Sequence, residues 1–128
     1  MILELTSYNR INNDILNNIF ISLMTSFLKS NSKLDSISLC DTYFKNDTIE
    51  SLSKLFGSNK CQNLEMIEFM SSTKDISCDK DIFSVFKDWI IFLQSNELKP
   101  KLKILKLTDF KMNDNDIFNL IEYFQVII

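Results

Sequence analysis

The stretch Leu102–Phe124, LKILKLTDFKMNDNDIFNLIEYF, decides the fold of this chain. Leu102, Leu105 and Leu107 form L-x-x-L-x-L, and the step from Leu105 to Leu107 turns both side chains to one face of a strand. Phe110 and Met112 carry the apolar positions into a turn. Asp116 stands where a helix N-cap belongs, able to accept a bond from an orphan N–H of the first turn. Behind it Ile117, Leu120, Ile121 and Phe124 fall at i, i+3, i+4 and i+7, the stripe of an amphipathic helix. Alone, a strand–turn–helix unit cannot bury both its strand face and its helix stripe, so it needs neighbours of its own kind.

The chain supplies them. Leu34, Ile37 and Leu39 repeat the strand pattern, Phe44 matches Met112, Thr48 matches Asp116 as a cap, and Ile49, Leu52 and Phe56 match the helix stripe. Leu64, Ile67 and Phe69 form a third strand, with Ile82, Phe83 and Phe86 at helix offsets. Leu3 and Leu5 form the first, with Asp14 as cap and Ile15 and Ile19 in its helix. Four strand–turn–helix units are predicted, over 1–33, 34–62, 63–101 and 102–128, within a single domain.

L-x-x-L-x-L followed by a helix resembles the leucine-rich repeat, and the helical return is similar to the ribonuclease-inhibitor-like class. The anchors Leu5, Leu39, Phe69 and Leu107 lie 34, 30 and 38 residues apart, longer than the usual period of about 20–29. Tyr8, Thr42, Ser72 and Phe110 stand where the family places Asn or Cys, so the repeats are degenerate. The resemblance implies an α/β solenoid, a horseshoe segment with parallel strands on its concave side and helices on its convex side. It also implies a scaffold that binds other proteins.

Composition narrows the function. At 128 residues with net charge −3 and acids and bases interspersed, the chain has neither a basic face for nucleic acid nor an acidic tail. It has no His, which removes the commonest general base and most zinc sites. A single Gly excludes the phosphate-cradling and dinucleotide fingerprints. Asp114-Asn115-Asp116 lacks the spacing, central Gly and terminal Glu of a calcium loop. No cofactor, metal or catalytic residue is therefore expected, and the chain reads as a non-enzyme. Cys40, Cys61 and Cys78 are odd in number with no close pair, which suits a reducing, intracellular and cytoplasmic setting, with the thiols filling core space. Met1–Ser7 lacks the positive head of a signal peptide, and Ile15–Leu28 is too interrupted by polar residues to span a bilayer.

Local signals set the element boundaries. The first helix is predicted over Asp14–Lys29 with Ile15, Ile19, Leu23 and Phe27 at steps of four, flanked by Leu16, Phe20, Met24 and Leu28, a wide stripe that wants contact on two sides. The second is predicted over Thr48–Phe56, ending at Gly57 in a left-handed C-cap. The third is predicted over Asp79–Gln94, with Phe83, Phe86, Ile90 and Leu93 inward and Trp89 packed beside them.

Between the buried strand positions lie residues that point out of the concave wall. They form three rows: Ile2, Ser36, Met66, Ile104; then Glu4, Ser38, Glu68, Lys106; then Thr6, Cys40, Met70, Thr108. Glu4, Thr6, Ser38, Cys40, Met66, Glu68, Met70, Ile104, Lys106 and Thr108 are the candidate contacts for a protein partner. The sequence expectation is a protein–protein interaction module; the competing reading is a structural spacer in a longer array whose activity lies in another domain. Neither end carries the polar outer face that closes a repeat array, which points to a longer array or to self-association through the ends.

Overall fold

The computed structural model describes residues 2–6, 13–42, 46–71, 82–108, 110 and 114–124. Strands and helices alternate along them: β1 (Ile2–Thr6), α1 (Asn13–Lys29), β2 (Ser36–Thr42), α2 (Asn46–Phe56), β3 (Met66–Ser71), α3 (Phe83–Ser95), β4 (Ile104–Thr108) and α4 (Asp114–Phe124), with a short 3-10 turn at Asn59–Cys61. The fold is α/β. Its four strands are all parallel and lie in the order β1-β2-β3-β4. Parallel strand–helix units therefore repeat along the described residues, as the sequence pattern implies.

Side-chain alternation along the strands separates two faces. Ile37 and Leu39, Ile67 and Phe69, and Leu105 are buried, and they share one core with Phe20, Met24 and Phe27 of α1. Ile49, Leu52, Leu55 and Phe56 of α2, Val85, Phe86, Trp89 and Leu93 of α3, and Leu120 of α4 complete it. Leu34, Leu64 and Leu102, the first leucine-type anchors of their units, are buried just before β2, β3 and β4. All three strand anchors of the second and third units are thus interior; in the fourth, Leu107 is partly buried.

An aromatic cluster fills the middle of this core. Phe56 meets Trp89 edge-on at 5.7 Å between ring centroids, and lies 6.2 Å from Phe69 and 6.3 Å from Phe86. The indole N–H of Trp89 donates to the Cys61 carbonyl at 3.1 Å, tying α3 to the 3-10 turn. Its burial agrees with the packing role expected of it. Cys61 fills core space too, and burial pushes its thiol far up from the usual range, so it stays protonated. Cys78 lies outside the described residues.

Several local expectations are corrected. α2 begins at Asn46 and α4 at Asp114, so Thr48 and Asp116 sit inside the first turn rather than at the cap. The acidic residues Asp47, Asp114 and Asp116 explain the earlier starts, because negative charge near a helix N-terminus is favourable. Thr48 is then buried beside Ile49 and Leu52. Asp14 likewise lies within α1, which opens at Asn13. α3 opens at Phe83; Asp79, together with Phe44 and Met112, lies outside the described residues.

The inner line of α1 is Phe20, Met24 and Phe27, whereas Ile19 and Leu23 are 46% and 45% exposed. A stripe taken in steps of four drifts about 40° per step around a helix of 3.6 residues per turn, and so leaves the core face. In α3 the inner residues are Val85, Phe86, Trp89 and Leu93, with Phe83 and Ile90 only partly buried.

Gly57 has no positive φ, so it is not a left-handed cap. Its N–H donates to the Ser53 carbonyl at 2.9 Å, and a Cβ there would stand 3.1 Å from that same oxygen. Close approach selects the glycine. The left-handed residue is Glu97, at φ 55°, just past the end of α3. Glu97 N–H donates to Gln94 and Leu98 N–H to Leu93, at 3.1 and 2.8 Å, closing the helix in a Schellman pattern. Among the described residues, no helix is long and apolar enough to cross a membrane.

Candidate functional site

Helices seal one face of the sheet; the other carries the candidate residues. The ladder register brings them into rows. Ile2, Ser36, Met66 and Ile104 are Cα partners across the four strands, as are Glu4, Ser38, Glu68 and Lys106. In the third row Thr6 pairs with Cys40 and Met70 with Thr108. The expected Cys40–Met70 step is missing. After Leu39↔Phe69 the next partners are Thr42↔Ser71, so β2 carries one residue more than β3 there. Such a bulge bends the strand and re-aims its side chains. It splits the third row at the point where Cys40 turns toward Glu68.

Glu68 is the centre of the polar contacts. Ser38 donates its hydroxyl to Glu68 Oε1 at 2.7 Å, and the Cys40 thiol reaches the same oxygen at 3.4 Å. On the other side Lys106 Nζ lies 3.8 Å from Glu68 Oε2. Ser38's hydroxyl, then the Cys40 thiol, hold the carboxyl below the usual glutamate range; Lys106 adds to this, and partial desolvation opposes it. Ser38 is buried although it lies on the open face, because its neighbours in the row close over it. Glu68 is thereby contacted at both oxygens, a restrained negative group in the middle of this face.

Around this polar row the surface is apolar. Met66 and Met70 are half-buried, Ile104 is 48% exposed, and the Ser36 hydroxyl points to Met66 Sδ at 3.9 Å. Glu4 and Thr108 are exposed. The side chain of Thr6 lies outside the described residues, although its backbone holds its place in the ladder. Chemically, the arrangement can offer adaptable thioether contacts, one restrained carboxylate and one ammonium. Among the described residues no three His, Cys, Asp or Glu side chains are grouped to hold a metal.

The Glu68 network was partly legible in the sequence, which aligns Ser38, Glu68 and Lys106 in one row. Cys40 gave no such signal, because its approach depends on the bulge. Also unforeseen is Lys60, a buried lysine whose ammonium donates to the Ser30 carbonyl just past α1. Its own carbonyl accepts from Leu34 N–H at 2.7 Å, so one residue ties the turn after α2 to the connection between α1 and β2 at two points. No family model, curated protein or solved structure matches the chain.

Proposed function

We propose that this chain is a leucine-rich-repeat solenoid segment of the ribonuclease-inhibitor-like class, acting as a non-catalytic module that takes a protein partner on its open strand face. The observation that carries the reading is a parallel sheet that, among the described residues, is covered by helices on one side only. Parallel sheets are ordinarily buried on both faces and read as continuous apolar runs. Here alternate strand positions mix Glu4, Ser36, Ser38, Glu68, Lys106 and Thr108 with Ile2, Cys40, Met66, Met70 and Ile104, a face suited to meeting water or a partner.

A fixed backbone presents these side chains, and Glu68 is already restrained by Ser38, Cys40 and Lys106. Little freedom remains to be lost on docking, which favours affinity for a given area. Met66, Met70 and Ile104 supply apolar contact, while Glu68 and Lys106 set orientation through their opposite signs. The complementary partner surface carries charges of both signs along its middle and is apolar around them.

The test combines Met66→Ser, Glu68→Lys and Met70→Ser in one chain and compares its recovery of partners from cell extract with that of the wild type. The folded variant is expected to lose its partners. Recovery of every partner by a variant whose circular dichroism is unchanged would place binding on the helices or elsewhere.

A further inference from the structure

We propose that the groove between α2 and α3 docks an amphipathic helix of a partner protein that carries a Lys or Arg one turn away from a large apolar residue. This surface lies on the opposite side of the sheet from Met66, Glu68 and Met70 and does not depend on them. The inward residues of the two helices are consumed by the core: Thr48, Ile49, Leu52, Leu55 and Phe56 of α2, and Val85, Phe86, Trp89 and Leu93 of α3. Beside that buried side, each helix turns a second stripe toward the other. Glu50, Ser53, Lys54 and Gly57 line the groove from α2 and its end, and Asp88, Ile91, Phe92 and Ser95 line it from α3. Both sets fall at i, i+3, i+4 and i+7, two turns of helix or about 10 Å of length. The open volume between them is about 540 Å³.

Small side chains make the room. Ser53 and Gly57 on one side and Ser95 on the other leave the apolar pair of α3 open, with Ile91 53% exposed and Phe92 half-buried. At the matching places of its stripe α2 carries Ser53 and Lys54, so the apolar wall belongs to α3 alone. The backbone along the groove is already occupied: Gly57 N–H donates to Ser53 and Asn96 N–H to Phe92, at 2.9 and 3.2 Å. An occupant must therefore bind through side chains. That is how an amphipathic helix lies in a groove, with its anchors one turn apart.

Charge selects which helix fits. Glu50 and Asp88 lie past the first turns of α2 and α3, where the helix dipole no longer accounts for an acidic residue. Glu50 has Lys54 one turn on, at 4.0 Å, but both side chains are more than half exposed and such a pair is weak. Asp88 has Ser84 and Phe92 one turn to either side and, among the described residues, forms no ion pair. Carboxylates thus outnumber ammonium groups along the groove, and the C-terminal ends of both helices add partial negative charge at its far end. A cation is favoured at Asp88. Ile91 and Phe92 follow it by three and four residues, so they meet an apolar side chain one turn along the occupant.

A displayed library of helical peptides, randomised along one face, tests this by selection on the wild-type chain and counter-selection on Ile91→Lys, a substitution at an exposed position. Enriched peptides are expected to carry Lys or Arg three or four residues from a large apolar residue. By fluorescence anisotropy they should bind Asp88→Lys about tenfold more weakly than the wild type. Exchanging the peptide's own Lys or Arg for Glu should weaken binding to the wild type and restore it to Asp88→Lys. The chain carrying Met66→Ser, Glu68→Lys and Met70→Ser should bind these peptides as the wild type does, which separates this groove from the strand face. The proposal is overturned by an absence of enrichment, by enriched peptides with an acid in place of the base, or by equal affinity for Asp88→Lys. Loss of binding in the strand-face variant overturns it as well.

Discussion

The two faces of one sheet are made from alternate residues of the same strands, yet they obey different rules. On the helix-covered face, Ile67 and Phe69 are fully buried, and the Phe69 ring lies against Phe56 and Phe86. One residue away, Met66, Glu68 and Met70 are half-buried; Met66 meets Ser36, and Glu68 meets Ser38, Cys40 and Lys106 on the adjoining strands. Identity on the first face is set by volume and on the second by chemistry. The first specifies the fold, and the second is free to carry function.

The largest expected effect lies on the covered face. Phe69→Ala removes a ring from the centre of the aromatic cluster and should cost about 3–5 kcal/mol in a denaturant melt. A loss under about 1 kcal/mol would mean that the cluster is not the core. Trp89→Phe keeps an aromatic ring but removes one of two donors to the Cys61 carbonyl, which still accepts from Leu64 N–H at 3.2 Å, a cost of about 0.5–1.5 kcal/mol. Ile91→Ala, on the exposed side of the same helix, should change stability by no more than about 0.5 kcal/mol. If the two substitutions cost the same, the orientation assigned to α3 is wrong.

The open face should respond least, and through pH. The Glu68 carboxyl titrates below its unfolded value of about 4.3. Its contribution is therefore complete above that pH and is lost as pH falls through the lower folded value. The stability difference between wild type and Glu68→Gln should hold steady from about pH 7 to 5 and shrink toward zero in more acid solution. A difference that grows on acidification would contradict the Ser38–Glu68 contact.

The covered face was legible in the sequence because burial imposes a period. Leu34, Ile37, Leu39 and Leu64, Ile67, Phe69 announce their strands, and the row register follows from laying those anchors side by side. What escaped depends on contacts distant in sequence or on backbone detail. The bulge after Leu39, the left-handed Glu97 and the buried Lys60 leave no periodic trace. The exposure of Ile19, Leu23 and Ile121 escaped for another reason. A stripe shows that a flank is apolar, and only the arrangement of helices shows whether another helix covers it. On the open face the first two rows follow the expected register and the third is split by the bulge, and only the distances reveal that Glu68 is the group they converge on.

The most direct measurement places one substitution on each face at adjacent positions of β3. Ile67→Asp and Met66→Asp introduce the same carboxylate into the same strand, so local propensity is matched and only the face differs. In parallel urea melts, Ile67→Asp is expected to lose more than about 4 kcal/mol and with it cooperative unfolding, through the lost core volume and the buried charge. Met66→Asp should stay within about 1 kcal/mol of wild type. Equal losses at the two positions would contradict the division of the sheet into a sealed face and an open one.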